Sequence, residues 1–266
     1  VRATNRSALF LLVLTLLTTL GLGVAQAPAA PVGKPTVVLV HGAFADASSW
    51  DAVAAQLRGE GYTVVTPDNP LRGPANDAAA IKRVLDSISG PVILVGHSYG
   101  GVVVTNAART ASNVVALVYL AAIVPAQFEP PQLAIDPIRY PGSKLLPPVL
   151  LPKLVPGGVD VYINPEYFRE AFAADVPADK AAQMAASQHS LALTAQLEPS
   201  GAPAYENHRS WWLLTTGDQA VPPSAQQAMA ARAHSQVTAI ASSHAVMVSH
   251  PDAVAALVTQ ADAATR

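Results

Sequence analysis

The stretch Pro91-Val92-Ile93-Leu94-Val95-Gly96-His97-Ser98-Tyr99-Gly100-Gly101 decides the fold. Its first half is a short, continuous aliphatic run with the length and β-branched content of a strand buried on both faces. Its second half is a Gly-x-Ser-x-Gly turn that runs into a helix-compatible segment, Gly101 to Ala111. A strand that passes through such a turn directly into a helix holds its serine in a strained conformation, exposed at the strand's carboxyl end. The residues two positions away must then be small, and Gly96 and Gly100 are. A chance Gly-x-Ser-x-Gly in a glycine-rich loop would lack the flanking strand and helix. Ser98 is therefore the candidate nucleophile.

Working outward, five more runs have strand character: Thr36 to Val40, Tyr62 to Val65, Val114 to Ala121, Trp211 to Thr215 and Gln236 to Ile240. Between them, Ser48 to Leu57 starts on a capping-box-like Ser48-x-x-Asp51, and Asn76 to Ile88 carries apolar residues at helical spacing. The alternation predicts an α/β fold, a doubly wound and mainly parallel sheet of six strands with helices on both faces. Ligand sites in such sheets lie beyond the carboxyl ends of the strands. The regularity breaks from Pro125 to His208, where prolines cluster and no strand pattern shows. A cap inserted over about 126–208 is expected, with helices over Pro165 to Ala174 and Ala178 to Leu197.

A serine hydroxyl needs a base to take its proton, and the base needs a carboxylate to orient it. In this architecture the chain order is Ser, acid, His. Asp218 follows the strand ending at Thr215, and His244 follows the last strand, so both fall at carboxyl ends in that order. Glu129 and Asp136 are weaker rivals for the acid. His250 precedes Pro251 at the start of the last helix, while His41 and His97 flank loop glycines and are expected to pack locally. Two backbone amides must face the developing oxyanion. They are expected from Tyr99 and from Ala43, with Phe44 the second choice for the latter. Phe44 and Phe128 are candidate substrate-binding side chains, and Trp211-Trp212 is read as packing because adjacent strand residues face opposite sides.

Of 266 residues, 51% are hydrophobic and 13% charged, enough for one large core. With no cysteine, disulfides, thiolate metal sites and a lipid-bearing cysteine are excluded. Arg2 and Arg6 precede an apolar run from Ala8 to Val24 that ends in small residues, which reads as a secretory signal peptide over 1–30. Cleavage is expected between Ala25 and Ala30, so that 1–30 holds the signal peptide and a mature N-terminal tail and 31–266 the folded domain, secreted or periplasmic and without stable membrane association; an uncleaved anchor is the competing reading. Removing the two leader arginines changes 16 basic against 18 acidic residues to 14 against 18. That mildly acidic balance suggests no nucleic-acid partner.

These residues resemble the α/β-hydrolase superfamily, in particular the branch of bacterial esterases, plant methylesterases and hydroxynitrile lyases. The matching segments are Val38 to Ala43 with Ser48-Ser49-Trp50, Val95 to Gly101, Gly217-Asp218 and Ser243-His244. The resemblance implies oxyanion donors at Ala43 and Tyr99, no metal or organic cofactor, and a small-molecule ester as substrate. Hydroxynitrile lyases of the branch carry lysine after the catalytic histidine and threonine in place of the glycine of His-Gly. This chain has Ala245 and Gly42, which favours ester hydrolysis. A lyase acting on cyanohydrins and a receptor-like ligand-binding homologue are the alternatives.

Overall fold

A computed structural model describes residues 33–266, so the expected leader and its cleavage site lie outside the described residues. The chain opens with β1 (Thr36–Val40), α1 (Asp51–Gly59), β2 (Thr63–Val65), α2 (Pro74–Asp86), β3 (Val92–His97), α3 (Gly100–Ala107) and β4 (Val114–Leu120). An excursion follows, which we call the cap: α4 (Pro131–Ala134), β5 (Leu150–Val155), β6 (Gly158–Ile163), α5 (Pro165–Phe172), α6 (Ala178–Ser187), β7 (Leu191–Ala192) and α7 (Leu193–Leu197). The chain then resumes with β8 (Ser210–Thr215), α8 (Pro223–Arg232), β9 (Gln236–Ile240), α9 (Val246–Ser249) and α10 (Pro251–Ala263).

Six strands pair in parallel in the order β2-β1-β3-β4-β8-β9. They are the six expected runs, two with the same ends and four with ends moved by one or two residues. Alternation along each strand separates two cores. Val37 and Leu39 pack with α1 and α10 on one face, while Val38 and Val40 pack with α2, α3 and α8 on the other. Trp211 and Trp212 divide in the same way, each wholly buried in a different core, and the packing role read from the sequence holds. The order reverses between β1 and β3, since β2 lies outward of one and β4 of the other. The loops after these two strands therefore splay apart and open a crevice at their carboxyl ends. Ser98 and Ala43 sit on those loops.

Three expectations are corrected. The turn before α1 is capped by Asp46, whose side chain accepts from the Ser48 amide, and no Ser48–Asp51 box forms. The cap contains strands: β5 and β6 form an antiparallel hairpin, and β6 also pairs with β7. Prolines hid them. Pro152 lies in β5, an edge strand where a missing N–H costs little, and Pro156-Gly157 is the hairpin turn, with Gly157 at φ 93°. The helix expected over Ala178 to Leu197 ends at Ser187. There the Gln188 side chain accepts from the Ile163 amide and donates to the Ile163 carbonyl, so it continues the edge of β6 in place of a helical turn.

Candidate active site

Ser98 follows β3 directly and has φ 53°, in the left-handed region that a side chain with a Cβ rarely takes. The strain is held by hydrogen bonds on both sides: its amide donates to the Leu120 carbonyl, and its own carbonyl accepts from the Gly101 and Ile123 amides. The flanking glycines are required by contact. A Cβ on Gly96 would stand 2.7 Å from the Gly100 carbonyl oxygen, and one on Gly100 would stand 2.5 Å from that of Val40.

His244 and Asp218 come together at the ends of β9 and β8. His244 Nδ1 lies 2.7 Å from Asp218 Oδ2, and both side chains are buried. The carboxylate is held by further donors: the Ala220 and Val221 amides on Oδ1, and Thr215 Oγ1 and Gln226 Nε2 on Oδ2. With every lone-pair direction used, Asp218 favours the tautomer of His244 that carries its proton on Nδ1 and leaves the Nε2 lone pair as an acceptor. Gln226 was not anticipated from sequence, since nothing in the spacing of α8 marks it. Among the described residues Ser98 Oγ makes no hydrogen bond to His244, a contact that commonly tightens only once substrate is bound.

The Ala43 and Tyr99 amides have no hydrogen-bond partner among the described residues, whereas the Phe44 amide donates to the His189 carbonyl at 3.0 Å. Ala43 is thus the freer of the two oxyanion candidates on this loop. Gly42 explains the space: a Cβ there would fall 2.7 Å from Ser98 Cβ and 3.2 Å from the Tyr99 nitrogen. The glycine keeps the ground beside the Tyr99 amide open.

Neighbouring polar groups stiffen this arrangement. His41 Nε2 accepts from the Asn69 amide, so Nδ1 carries the proton and donates to the Gly42 carbonyl. His97 Nε2 donates to the His244 carbonyl. Burial pushes both imidazoles below the ordinary histidine value, and for His97 the nearby His244 adds to it, so both are neutral. Their contacts reach beyond the local packing expected of them, to Asn69 and to the backbone of His244. The Tyr99 hydroxyl donates to the buried Asp77 carboxylate, which also accepts from the Arg72 and Gly73 amides. The Arg72 guanidinium in turn grips Asp160 of β6 with two hydrogen bonds.

Of the two substrate-binding candidates, Phe44 is buried and lines a cavity of about 250 Å³ with Ile135, Leu145, Leu150, Val161 and Leu193. Phe128 is 73% exposed and does not line that cavity. Its φ of 66° and its amide bond to Ser200 turn the side chain outward. The aromatic that does reach the site is Phe172, whose ring stands edge-on to His244 with centroids 4.8 Å apart. The apolar stripe Phe168, Ala171, Phe172 on α5 is the sequence signal that marks its buried face.

A sequence model described as the alpha/beta hydrolase family matches residues 37–257. The chain belongs to the alpha/beta hydrolase family. A carbendazim hydrolyzing esterase of Nocardioides sp. (strain SG-4G) is 41% identical to this hydrolase-family chain over 101 residues, 33% of this chain and 42% of that protein. The match thus spans under half of that relative's length. Among solved structures, polyneuridine aldehyde esterase superposes with a TM-score of 0.74 at 18% identity, over 85% of this chain and 98% of its own. A pyrethroid hydrolase from Sphingobium faniae JZ-2 gives 0.68 at 20% identity, over 86% and 98%. At these identities the likeness is one of fold.

Proposed function

We propose that this alpha/beta hydrolase cleaves carboxylic esters through Ser98, His244 and Asp218. The observation that carries the proposal is the buried 2.7 Å His244–Asp218 hydrogen bond at the ends of β9 and β8, together with a serine held at φ 53° past the end of β3, whose preceding residue His97 packs on His244. Ser98 Oγ attacks the ester carbonyl carbon while His244 Nε2 takes its proton. The oxyanion is met by the Ala43 and Tyr99 amides. Collapse passes the proton from His244 to the leaving alcohol oxygen and leaves an acyl group on Ser98. Water, deprotonated by the same imidazole, then releases the acid and restores the hydroxyl. Asp218 supports the imidazolium in both halves.

Gly42 and Ala245, read against the lyases of the same branch, support hydrolysis over cyanohydrin cleavage. The name of the carbendazim hydrolyzing esterase, 41% identical over 101 residues, points the same way. Ser98→Ala should lower kcat on p-nitrophenyl esters by a factor on the order of 10⁶ and abolish labelling by a fluorophosphonate. Esterase activity retained in that variant overturns the assignment, and cyanide release from mandelonitrile would replace it with a lyase. We further propose that the chain acts outside the cytoplasm after loss of its leader, which N-terminal sequencing of the mature protein tests.

A further inference from the structure

We propose that Asp175, in the cap three residues beyond the end of α5, is a positioning residue that seats His244 through the Ser242-Ser243 turn. The inference rests on the triad proposed above. Asp175 Oδ2 accepts from Ser242 Oγ at 2.8 Å and from the Ser243 amide at 3.0 Å, and Oδ1 accepts from Ser243 Oγ. On the other side of the imidazole, the Ala245 amide donates to the Phe172 carbonyl at 3.0 Å. Both neighbours of His244 are therefore tied to the same four-residue piece of the cap, and the Phe172 ring closes on the imidazole between them.

The same turn reaches the acid. The Ser242 carbonyl accepts from the Gly217 amide at 3.0 Å, and Gly217 precedes Asp218. A Cβ on Gly217 would meet that carbonyl oxygen at 3.0 Å, so the two loops are in close contact. Asp175 thus holds, by charge-assisted bonds, a turn that touches both the acid loop and the base. No other side chain donates to or accepts from the Ser243 hydroxyl or amide among the described residues.

The anchor is built to stay ionised. Burial alone would raise the Asp175 carboxyl, but the bonds from Ser243, Ser242 and Ser249 outweigh it and hold it below the usual carboxylate range. The groups facing it are these serines and His250, whose Nε2 stands 3.5 Å from Oδ2. Its outer side borders an open cleft lined by Ala174, Thr216, Gly217 and Ser242, so water can solvate a replacement side chain. The cap is then not a free lid over the site. Its α5 end is part of the seat of the base.

The test compares Asp175→Asn with wild type, using p-nitrophenyl butyrate turnover and the rate of fluorophosphonate labelling of Ser98. An imidazole displaced by about 1 Å can cost about a hundredfold, so kcat and labelling should fall together by roughly ten- to a hundredfold while KM changes less than about twofold. Tyr62→Phe, which removes a buried hydrogen bond to Asp262 elsewhere in the fold, should lower Tm without lowering kcat. His244→Ala separates the two readings. If it is inactive while Asp175→Asn keeps wild-type kcat, this inference fails and the triad stands; if it is active, the triad fails. Should Asp175→Asn not fold, Ser243→Ala removes one hydroxyl of the clasp and is read in the same way, wild-type kcat overturning the proposal.

Discussion

The imidazoles of His97 and His244 lie with centroids 4.7 Å apart, and His97 Nε2 donates to the His244 carbonyl at 2.9 Å. The residue before the candidate nucleophile is thus bonded to the backbone of the candidate base, 147 positions away. His97 Nδ1 is buried and has no hydrogen-bond partner among the described residues, and protonating it would place a second positive charge against His244 whenever that candidate base becomes imidazolium. A neutral His97 is therefore required by the packing.

That requirement sets a pH dependence of stability. His97 and His41 both have folded-state values below the unfolded one, chiefly through burial. Below about pH 6.5 the unfolded chain takes up protons that the fold refuses, so stability falls as pH drops, by at most about 1.4 kcal/mol per pH unit for each histidine. Above that value the contribution is complete. Thermal melts from about pH 7.5 to about pH 5 should show Tm falling on the acid side. His97→Gln, which keeps a donor for the His244 carbonyl, should flatten the slope; an unchanged slope would show that His97 is not the group resisting protonation.

Gly42→Ala probes the oxyanion space. The new methyl carbon would lie 2.7 Å from both Ser98 Cβ and the His97 carbonyl oxygen, which belong to the strained turn and cannot swing aside. The turn must move, and with it the Tyr99 amide. Loss of one oxyanion donor elsewhere costs about 10²- to 10³-fold in kcat. A similar fall is expected here, with fluorophosphonate labelling slowed in step. Unaltered kcat would mean that the Tyr99 amide does not face the reacting carbonyl.

The six strands and the order Ser98, Asp218, His244 were legible because they depend on short-range pattern: an apolar run, a turn motif and a position just past a strand. The residues that stiffen the site were not. Asp175 and Asp77 act on partners 68 and 22 positions away, and a lone aspartate at either place reads as surface or cap. Phe128 and Phe172 are the same residue type in the same cap, yet one faces water and the other His244. Backbone direction decides between them: a left-handed loop residue on one side, the buried stripe of α5 on the other. Strands β5 and β6 stayed hidden because edge position, which makes Pro152 tolerable, is a property of the assembled sheet.

Tyr99→Phe removes one donor from the buried Asp77 carboxylate and leaves the Tyr99 amide in the chain. Burial raises the Asp77 carboxyl above the usual range despite bonds from Arg72, Gly73 and Tyr99, so its ionised form is already strained. For a raised carboxyl, the fold is favoured most when the group is protonated, and stability declines as pH rises from the unfolded value, about 3.9, through the folded one. Deleting the hydroxyl weakens the ionised form more than the protonated one, whose carbonyl oxygen is the poorer acceptor. The cost should therefore approach about 1.5–3 kcal/mol at neutral pH and shrink towards pH 4. Denaturant unfolding of both proteins at the two pH values measures it, and a cost independent of pH would mean that the tyrosine does not bond an ionised Asp77.

The cavity beside Phe44 sets the last expectation. At about 250 Å³ it is smaller than the roughly 300–1,000 Å³ of pockets that take drug-sized ligands, and its walls are mainly aliphatic. Phe44 is the one lining residue next in the chain to a candidate oxyanion donor, Ala43, and the expectation is that an ester bound at Ser98 extends one end into this cavity. Short acyl or alcohol groups should fit and long chains should not, and p-nitrophenyl butyrate should be turned over with higher kcat/KM than the dodecanoate. Leu193 lines the cavity while being 40% exposed, so enlarging it avoids a clash in the core. Leu193→Phe should therefore raise KM for the butyrate and leave acetate nearly unchanged, because only the longer chain reaches that depth. Equal effects on both esters would place the substrate outside the cavity, and efficient dodecanoate cleavage would require the β5–β6 hairpin to move away from it.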